Sequence, residues 1–280
     1  MRSDQIIHYY ETCDADYRLF WDLAHSHAMH AGYWDEHTKT LRQALQRENE
    51  VLAQRAHIQP NDRVLDAGCG VGGSAIYLAK HYHCEVVGIT LSAKQVETAR
   101  QTAQQESVQD LATFEVMDYT STTFHDHSFD VVWGVESICH AADKRLFIRE
   151  AARLLKPKGR LIIADGFAKQ AIYSPPDQLK MDTWLKGWGV STLAQASLFE
   201  RSLQEEGFVL IEFQDVTQHV MPSSRRLYWL SWPAIPLSKL GELVGWRKPA
   251  QTANLYGARC QYQTLKKELW HYGILYAEKG

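Results

Sequence analysis

The sequence predicts an α/β protein built on a seven-stranded, mostly parallel sheet, and three observations carry that reading. From residue 59 onward, short apolar runs alternate with apolar-periodic segments. That rhythm produces right-handed crossovers and a parallel sheet covered by helices. The stretch VLDAGCGVGGSAIYLAK (64–80) runs from a short strand through a glycine cluster into a helix. Two aromatic-rich stretches fall beside the last strands, where a lid over the sheet's carboxyl edge is expected.

Residues 3–25 have helix-like spacing through Ile6, Tyr9, Tyr10, Tyr17, Phe20 and Trp21, and HAGYWD (30–35) reads as a turn with exposed aromatics. Thr40–His57 is an amphipathic helix on Leu41, Leu45, Val51 and Leu52, closed by the turn Gln59-Pro60-Asn61-Asp62. Strands are expected at Arg63–Ala67, Glu85–Thr90, Thr113–Met117, Phe129–Gly134 and Arg160–Asp165. Helices are expected at Gly73–His81, Ser92–Glu106 and Lys144–Leu155, with a polar turn at Lys156–Gly159. After Asp165 the rhythm breaks. Pro175-Pro176, Trp184 and Trp188 mark an irregular insertion (166–200), and Tyr228, Trp229, Trp232, Trp246 and Tyr256 mark a second (219–262). A helix over 198–208 leads to a strand at Val209–Asp215, and Tyr272–Ala277 closes the sheet. The result is one domain over 1–280: a helical cover (1–58), a core around the glycine turn (59–165), and a lid with the last strands (166–280).

The 280 residues suffice for a sizeable core, and 45% apolar with 22% charged residues is ordinary for a globular protein. A formal net charge of −3 gives no global basic field, so nucleic acid is not an expected partner. No apolar run reaches the length of a membrane span, and MRSDQIIHYY lacks a signal-peptide layout. A cytoplasmic protein with no integral membrane segment is therefore expected. Cys13, Cys69, Cys84, Cys139 and Cys260 are far apart, with no CxxC pair, and read as reduced thiols.

A strand that passes through glycines into a helix start lets a ligand approach bare backbone, and the helix end adds N–H groups and partial positive charge. Gly68, Gly70 and Gly73 fit the GxGxxG of dinucleotide sites. Gly68, Gly70 and Gly72, preceded by Asp66, fit the DxGxGxG of S-adenosylmethionine (SAM) sites. A dinucleotide site wants an acid near the end of the next strand for the ribose hydroxyls, and Thr90 stands there instead. Asp66 also suits the ammonium or sulfonium of SAM better than a pyrophosphate. SAM is the expected cofactor.

DAGCGVGG, VVGITLSAKQ and MDYTSTTFHDHSFDVVWGVESICHA resemble, in order and spacing, successive motifs of the class I SAM-dependent methyltransferases. The resemblance runs from roughly Tyr9 to Asp165 and implies the Rossmann-like fold of that class, with 59–165 as the SAM-binding core. GITLSxxQ is similar to the subgroup of sterol C-methyltransferases, tocopherol-type methyltransferases and cyclopropane fatty-acid synthases. There the ribose-binding acid is replaced by a Thr-Leu pair and a Gln, here Thr90, Leu91 and Gln95, whose hydroxyl and carboxamide can bond a diol. The resemblance also implies that Asp118 meets the adenine amino group and that Tyr119 covers the ring. It places Tyr10, Tyr33 and Trp34 at the cofactor pocket, where aromatics suit a sulfonium cation. Read alone, Asp118 is a turn or cap residue, and the aromatics suit packing on the sheet equally well.

An electrophilic methyl needs a well-placed nucleophile more than a reactive side chain, and orientation can remove up to ~7–11 kcal/mol of barrier. A base is required only where the acceptor loses a proton. Glu136 and His140, in ESICHA at the carboxyl end of the fourth strand, are the candidates. ESICHA resembles the EATCHA segment of sterol C-methyltransferases and the ESGEH segment of tocopherol-type enzymes. Cyclopropane synthases bind bicarbonate through, among others, a Cys in the N-terminal aromatic segment and a Glu just before the His. Ala31 and Cys139 stand at those positions, which argues against cyclopropanation. His25, His27 and His30 lack an acid or Cys to complete a ligand set, so no metal is expected, and His125 and His127 read as exposed. Trp184, Trp188, Tyr228, Trp229 and Trp232 suggest a small, largely hydrophobic acceptor. The expected reaction is methyl transfer to carbon of an isoprenoid-like or related natural product, with small-molecule N- or O-methylation as the alternative. A non-catalytic SAM-binding module is disfavoured by the presence of Glu136 and His140.

Overall fold

A computed structural model describes residues 27–280 together with Tyr9, Thr12, Cys13 and Asp16. Thr40 opens helix α1 (Leu41–Arg55) with a capping box: its hydroxyl accepts the Gln43 N–H, and the Gln43 side chain accepts the Thr40 N–H. The alternating core follows as β1 (Arg63–Ala67), α2 (Gly73–Tyr82), β2 (Glu85–Thr90), α3 (Ala93–Gln105), β3 (Ala112–Val116), β4 (Phe129–Val135), α4 (Lys144–Leu154) and β5 (Leu155–Ala168). The chain then forms α5 (Pro175–Gly187), α6 (Ala196–Glu205), β6 (Phe208–Asp215), α7 (Thr217–Leu243), α8 (Pro249–Lys266) and β7 (Trp270–Lys279).

Among the described residues the strands form one seven-stranded sheet in the order β3-β2-β1-β4-β5-β7-β6. All pairs are parallel except those of β7, which runs antiparallel to β5 and β6. The order reverses at β1, with β2 on one side and β4 on the other. A crevice opens at the carboxyl ends there, the place where doubly wound sheets bind ligands. Central strands are covered on both faces, which is why β1, β2 and β4 read as nearly unbroken apolar runs.

Phe114, Phe129, Phe147 and Trp133 are fully buried. Phe114 sets how closely α2 and β2 approach β3. A Cβ on Gly88 would stand 2.7 Å from its ring, and one on Gly72 2.9 Å from the ring and from Ala99. Gly72, expected at the cofactor, therefore serves core packing, in a left-handed conformation that disfavours a side chain (φ +89°).

The irregular insertions read from the sequence are largely helical. Pro175 and Pro176 occupy the first turn of α5, where a missing N–H costs little. Most of 219–262 forms the hairpin α7–α8, although Pro222, Pro233 and Pro236 lie inside α7. Pro233 and Pro236 sit on its exposed side, where water can serve the carbonyls that their missing N–H groups leave. Lys156–Gly159, expected as a turn, is a bulge within β5: pairing with β4 jumps from Phe129–Leu155 to Val131–Arg160. Among the described residues no helix is long and apolar enough to cross a membrane, and the five cysteines are free thiols. No group of three or more His, Cys, Asp or Glu among them is arranged to hold a metal ion.

Phe114→Ala removes a fully buried ring that both glycines were shaped around. Its cost should be about 3–5 kcal/mol, read as a lower midpoint in urea unfolding.

Candidate active site

An open cavity lies over the carboxyl ends of β1, β2 and β4. Its floor is the glycine turn. Gly68 has φ +93°, and a Cβ there would fall 2.5 Å from Ser137 Cβ, so only glycine lets the ends of β1 and β4 meet. Ser137 ties them, its hydroxyl donating to the Ala67 carbonyl at 2.6 Å. Gly70 and Gly73 also line the cavity, and a Cβ on Gly73 would lie 2.1 Å from the His27 carbonyl oxygen. Gly73 lines the cavity where Gly72 does not, and it lets residues 27–28 close over the turn.

Asp66 lines the same cavity and is buried. Burial pushes its carboxyl up to about 7, with the Ala75 N–H and the charge of His30 pulling the other way. Its Oδ2 has no hydrogen-bond partner among the described residues. A buried carboxylate oxygen left in that state is costly, and a ligand ammonium would satisfy it.

Thr90, Leu91 and Gln95 line the wall after β2, with the Thr90 hydroxyl donating to Gln95 Oε1 at 2.7 Å. Tyr119 lines it as well and donates to the Ser137 carbonyl at 2.9 Å. Asp118 is not among the lining residues: its Oδ1 accepts the Thr120 N–H (2.8 Å) and hydroxyl (2.7 Å) in a local turn. Tyr33 is absent from the lining too. Its N–H donates to the Ala44 carbonyl, and its ring stacks on His219 at 4.0 Å. Trp34 donates to Ser223 at 2.8 Å, so this aromatic pair straps α1 to α7. Tyr10 lies outside the described residues.

A second cavity is walled by Trp184, Trp188, Leu227, Trp270 and Tyr272 and bounded by Cys139 and Asp165. The two cavities share Met29, Glu136 and His140. His140 Nδ1 lies 2.9 Å from the Gly189 carbonyl oxygen. A carbonyl only accepts, so Nδ1 carries the proton and Nε2 is the basic nitrogen of the neutral ring. Burial lowers the His140 pKa to about 4. Lys144 fixes the turn beneath it by donating to the carbonyls of Cys139 (2.8 Å), Ala141 (2.6 Å) and Thr192 (2.8 Å). Asp165 accepts the Cys139 N–H at 2.8 Å.

Glu136 follows β4 with φ +46°, a strained conformation costing roughly 1–3 kcal/mol that its surroundings impose. Its Oε1 accepts the Ala31 N–H at 2.6 Å and lies 3.0 Å from the Tyr272 hydroxyl. That hydroxyl is 2.8 Å from Glu48 Oε1. Glu48 Oε2 accepts the Gly32 N–H at 2.8 Å and lies 2.5 Å from His30 Nδ1. One phenolic proton cannot serve two ionised carboxylates. Burial, reinforced by the charge of Glu48, pushes the Glu136 carboxyl up to about 8, which favours its protonated form. For His30, burial acts downward, but the charge and hydrogen bond of Glu48 outweigh it and the net shift is upward.

Sequence reasoning missed Glu48, Tyr272 and Asp165. Glu48 had a signal: it stands between Leu45 and Leu52 on the apolar face of α1, where a carboxylate needs a buried partner. Tyr272 and Asp165 looked like ordinary strand residues.

A family profile described as a methyltransferase domain matches residues 65–163. The chain is 37% identical over 198 residues to 27-O-demethylrifamycin SV methyltransferase of Amycolatopsis mediterranei (strain S699), covering 70% of this chain and 71% of that protein. The crystal structure of the [4+2]-cyclase SpnF superposes with a TM-score of 0.79 at 25% identity, over 99% of this chain and 96% of that one. The cyclopropane synthase MmaA2 of Mycobacterium tuberculosis superposes with a TM-score of 0.84 over 100% and 99% of the two chains; at 15% identity this is a likeness of fold. The protein belongs to the class I SAM-dependent methyltransferases. Its cofactor is SAM. The cradle fits that group, with glycines where a Cβ would intrude and a cation-seeking oxygen on Asp66.

Asp66→Asn should weaken SAM binding at least about tenfold by calorimetry, because it removes a charge facing a cation. The folded pKa of Asp66 lies above its unfolded value, so its favourable contribution is full at low pH and lost as pH rises through about 7. Ligand-free Asp66→Asn should therefore melt higher than the parent protein at alkaline pH. A parallel loss of melting temperature would point to misfolding instead.

Proposed function

We propose that the protein methylates a hydroxyl oxygen of a small, largely hydrophobic natural product. The observation that carries this reading is the meeting of the glycine-turn cavity and the tryptophan-walled cavity at Glu136 and His140. Bound SAM supplies an electrophilic methyl group. Asp66 would hold its ammonium, and Thr90 and Gln95 its ribose hydroxyls. Trp184, Trp188 and Trp270 give the acceptor an apolar wall that excludes water. His140 takes the acceptor's proton at Nε2. An oxygen gaining a methyl becomes strongly acidic, so a base held near 4 suffices and stays neutral across the physiological range. Glu136, protonated near neutrality, acts as a hydrogen-bond donor that keeps the junction uncharged.

Support for oxygen comes from the Amycolatopsis relative, whose substrate name places the missing methyl on an oxygen. Carbon is the second reading, favoured by the aromatic walls, which would stabilise a carbocation. There the same His140 would remove a proton after the methyl is in place. Labelled-methyl SAM separates the two: NMR of the product shows the label in a methoxy group, as expected, or on carbon, which would sink the oxygen reading.

His140→Ala should lower kcat about 10²–10³-fold with the KM for SAM unchanged. Glu136→Gln, which keeps an acceptor and a donor, should retain most activity. With a base held near 4 and SAM saturating, kcat/KM for the acceptor should be flat between about pH 5 and 7. A limb rising through about 8 that disappears in Glu136→Gln would make Glu136 the base.

A further inference from the structure

Helix α7 is sorted the wrong way round for a helix facing water. Trp229, Trp232, Leu237, Leu240 and Leu243 are exposed, at 64%, 50%, 64%, 59% and 84%, and the stripe continues to Trp246 at 77%. The buried side holds Ser223, Ser224, Ser231, Ser238 and Gly241 beside Leu227 and Ile235. Two of those serines bond the partner helix: Ser224 donates to Gln261, and Ser238 bonds Thr252 at 2.6 Å. The outward residues recur at helical spacing over 229–243, a stripe of about 21 Å at 1.5 Å per residue. Continuous exposed apolar stripes of this size mark interaction surfaces.

Charge separates the possible partners. Residues 217–266 hold seven Lys or Arg and one acid, Glu242, in a chain whose formal charge is −3; Arg247 is paired with Asp16 at 2.7 Å, which leaves a net of +5. Arg225 and Arg226 are exposed just before the stripe, Lys239 lies beside it, and Lys248 follows it. Arg259 rides over the Trp232 ring at 4.3 Å. A second copy docked by the same face would oppose two basic surfaces. An anionic surface with an apolar interior answers both features.

We propose that the outward face of α7 docks on an anionic lipid bilayer, lying along the boundary between headgroups and acyl chains. Tryptophans and leucines would enter the boundary and the flanking bases would meet the headgroups, an arrangement that needs no membrane-crossing helix. The opposite side of α7 supplies Val220, Ser223, Ser224 and Leu227 to the second cavity. One helix therefore touches both the leaflet and the acceptor space, so an apolar acceptor is delivered from lipid; this last point rests on the hydrophobic-acceptor reading above.

The test is sedimentation of the full chain with vesicles of phosphatidylcholine and phosphatidylglycerol, and with phosphatidylcholine alone. Binding to the anionic vesicles, weakened by salt and accompanied by a blue shift of tryptophan emission, is the expected result. Trp229→Ser with Leu240→Ser and Leu243→Ser should cut partitioning about tenfold or more while melting temperature and SAM binding hold. Arg225→Gln should lower it roughly five-fold on anionic vesicles only. Failure of the parent protein to bind vesicles would overturn the proposal, as would a dimer in light scattering that the triple-serine variant converts to monomer. The assay needs no acceptor and no turnover, so its outcome is independent of which atom is methylated.

Discussion

Asp66, Glu136 and Asp165 stand at or near the carboxyl ends of β1, β4 and β5, three neighbours in the sheet, and burial raises the pKa of all three. Taking an ionised carboxylate out of water costs several kcal/mol unless hydrogen bonds replace the lost hydration. Here the replacements are chiefly backbone N–H groups: Ala75 for Asp66, Ala31 for Glu136, Cys139 and Gly166 for Asp165. Each donor belongs to a different segment, namely the first turn of α2, the strap before α1, the turn after β4 and β5 itself. The acids therefore position those segments as much as the segments position the acids. The close approach of Gly68 to Ser137 is the steric half of the same constraint.

The parallel core was legible because its signals are local. β1 and β2 fall on the residues that apolar runs and turn chemistry indicated, and the glycine turn, Thr90, Leu91, Gln95 and Tyr119 come together on one cavity. What was illegible depends on contacts far apart in sequence. Tyr272 meets Glu48 across 224 positions, and no spacing rule connects them. Tyr33 is held off the cavity because its backbone bonds α1 and its ring finds His219. Gly72 and Gly73 are adjacent and equally plausible from pattern, and only the position of Phe114 separates their roles.

The second insertion, read as irregular from its aromatic residues, is helical for a different reason: α7 runs 27 residues through three prolines. Proline removes one hydrogen bond and crowds one carbonyl, a local cost of ~3 kcal/mol that tertiary packing can outweigh. The compensation is visible in α8, where Gly257 admits Trp188 of the neighbouring segment and Gln261 meets Ser224. Local propensity says where a helix is weakened; it does not say what leans on it.

Glu136 and His140 share one environment and respond in opposite directions. Loss of water disfavours the charged form of each, so the histidine falls to about 4 and the carboxyl rises to about 8, the latter helped by Glu48. Between those values both are neutral, which assigns them unlike hydrogen-bonding parts: the histidine accepts at Nε2 and the acid donates. The junction of the two cavities is then uncharged. Asp66 lines the first cavity, and among the described residues its Oδ2 has no hydrogen-bond partner. Above about pH 7 the Asp66 carboxyl is ionised and attracts a cation. In the function proposed above, a cationic ligand is drawn to the glycine turn and the acceptor's proton is moved at the uncharged junction.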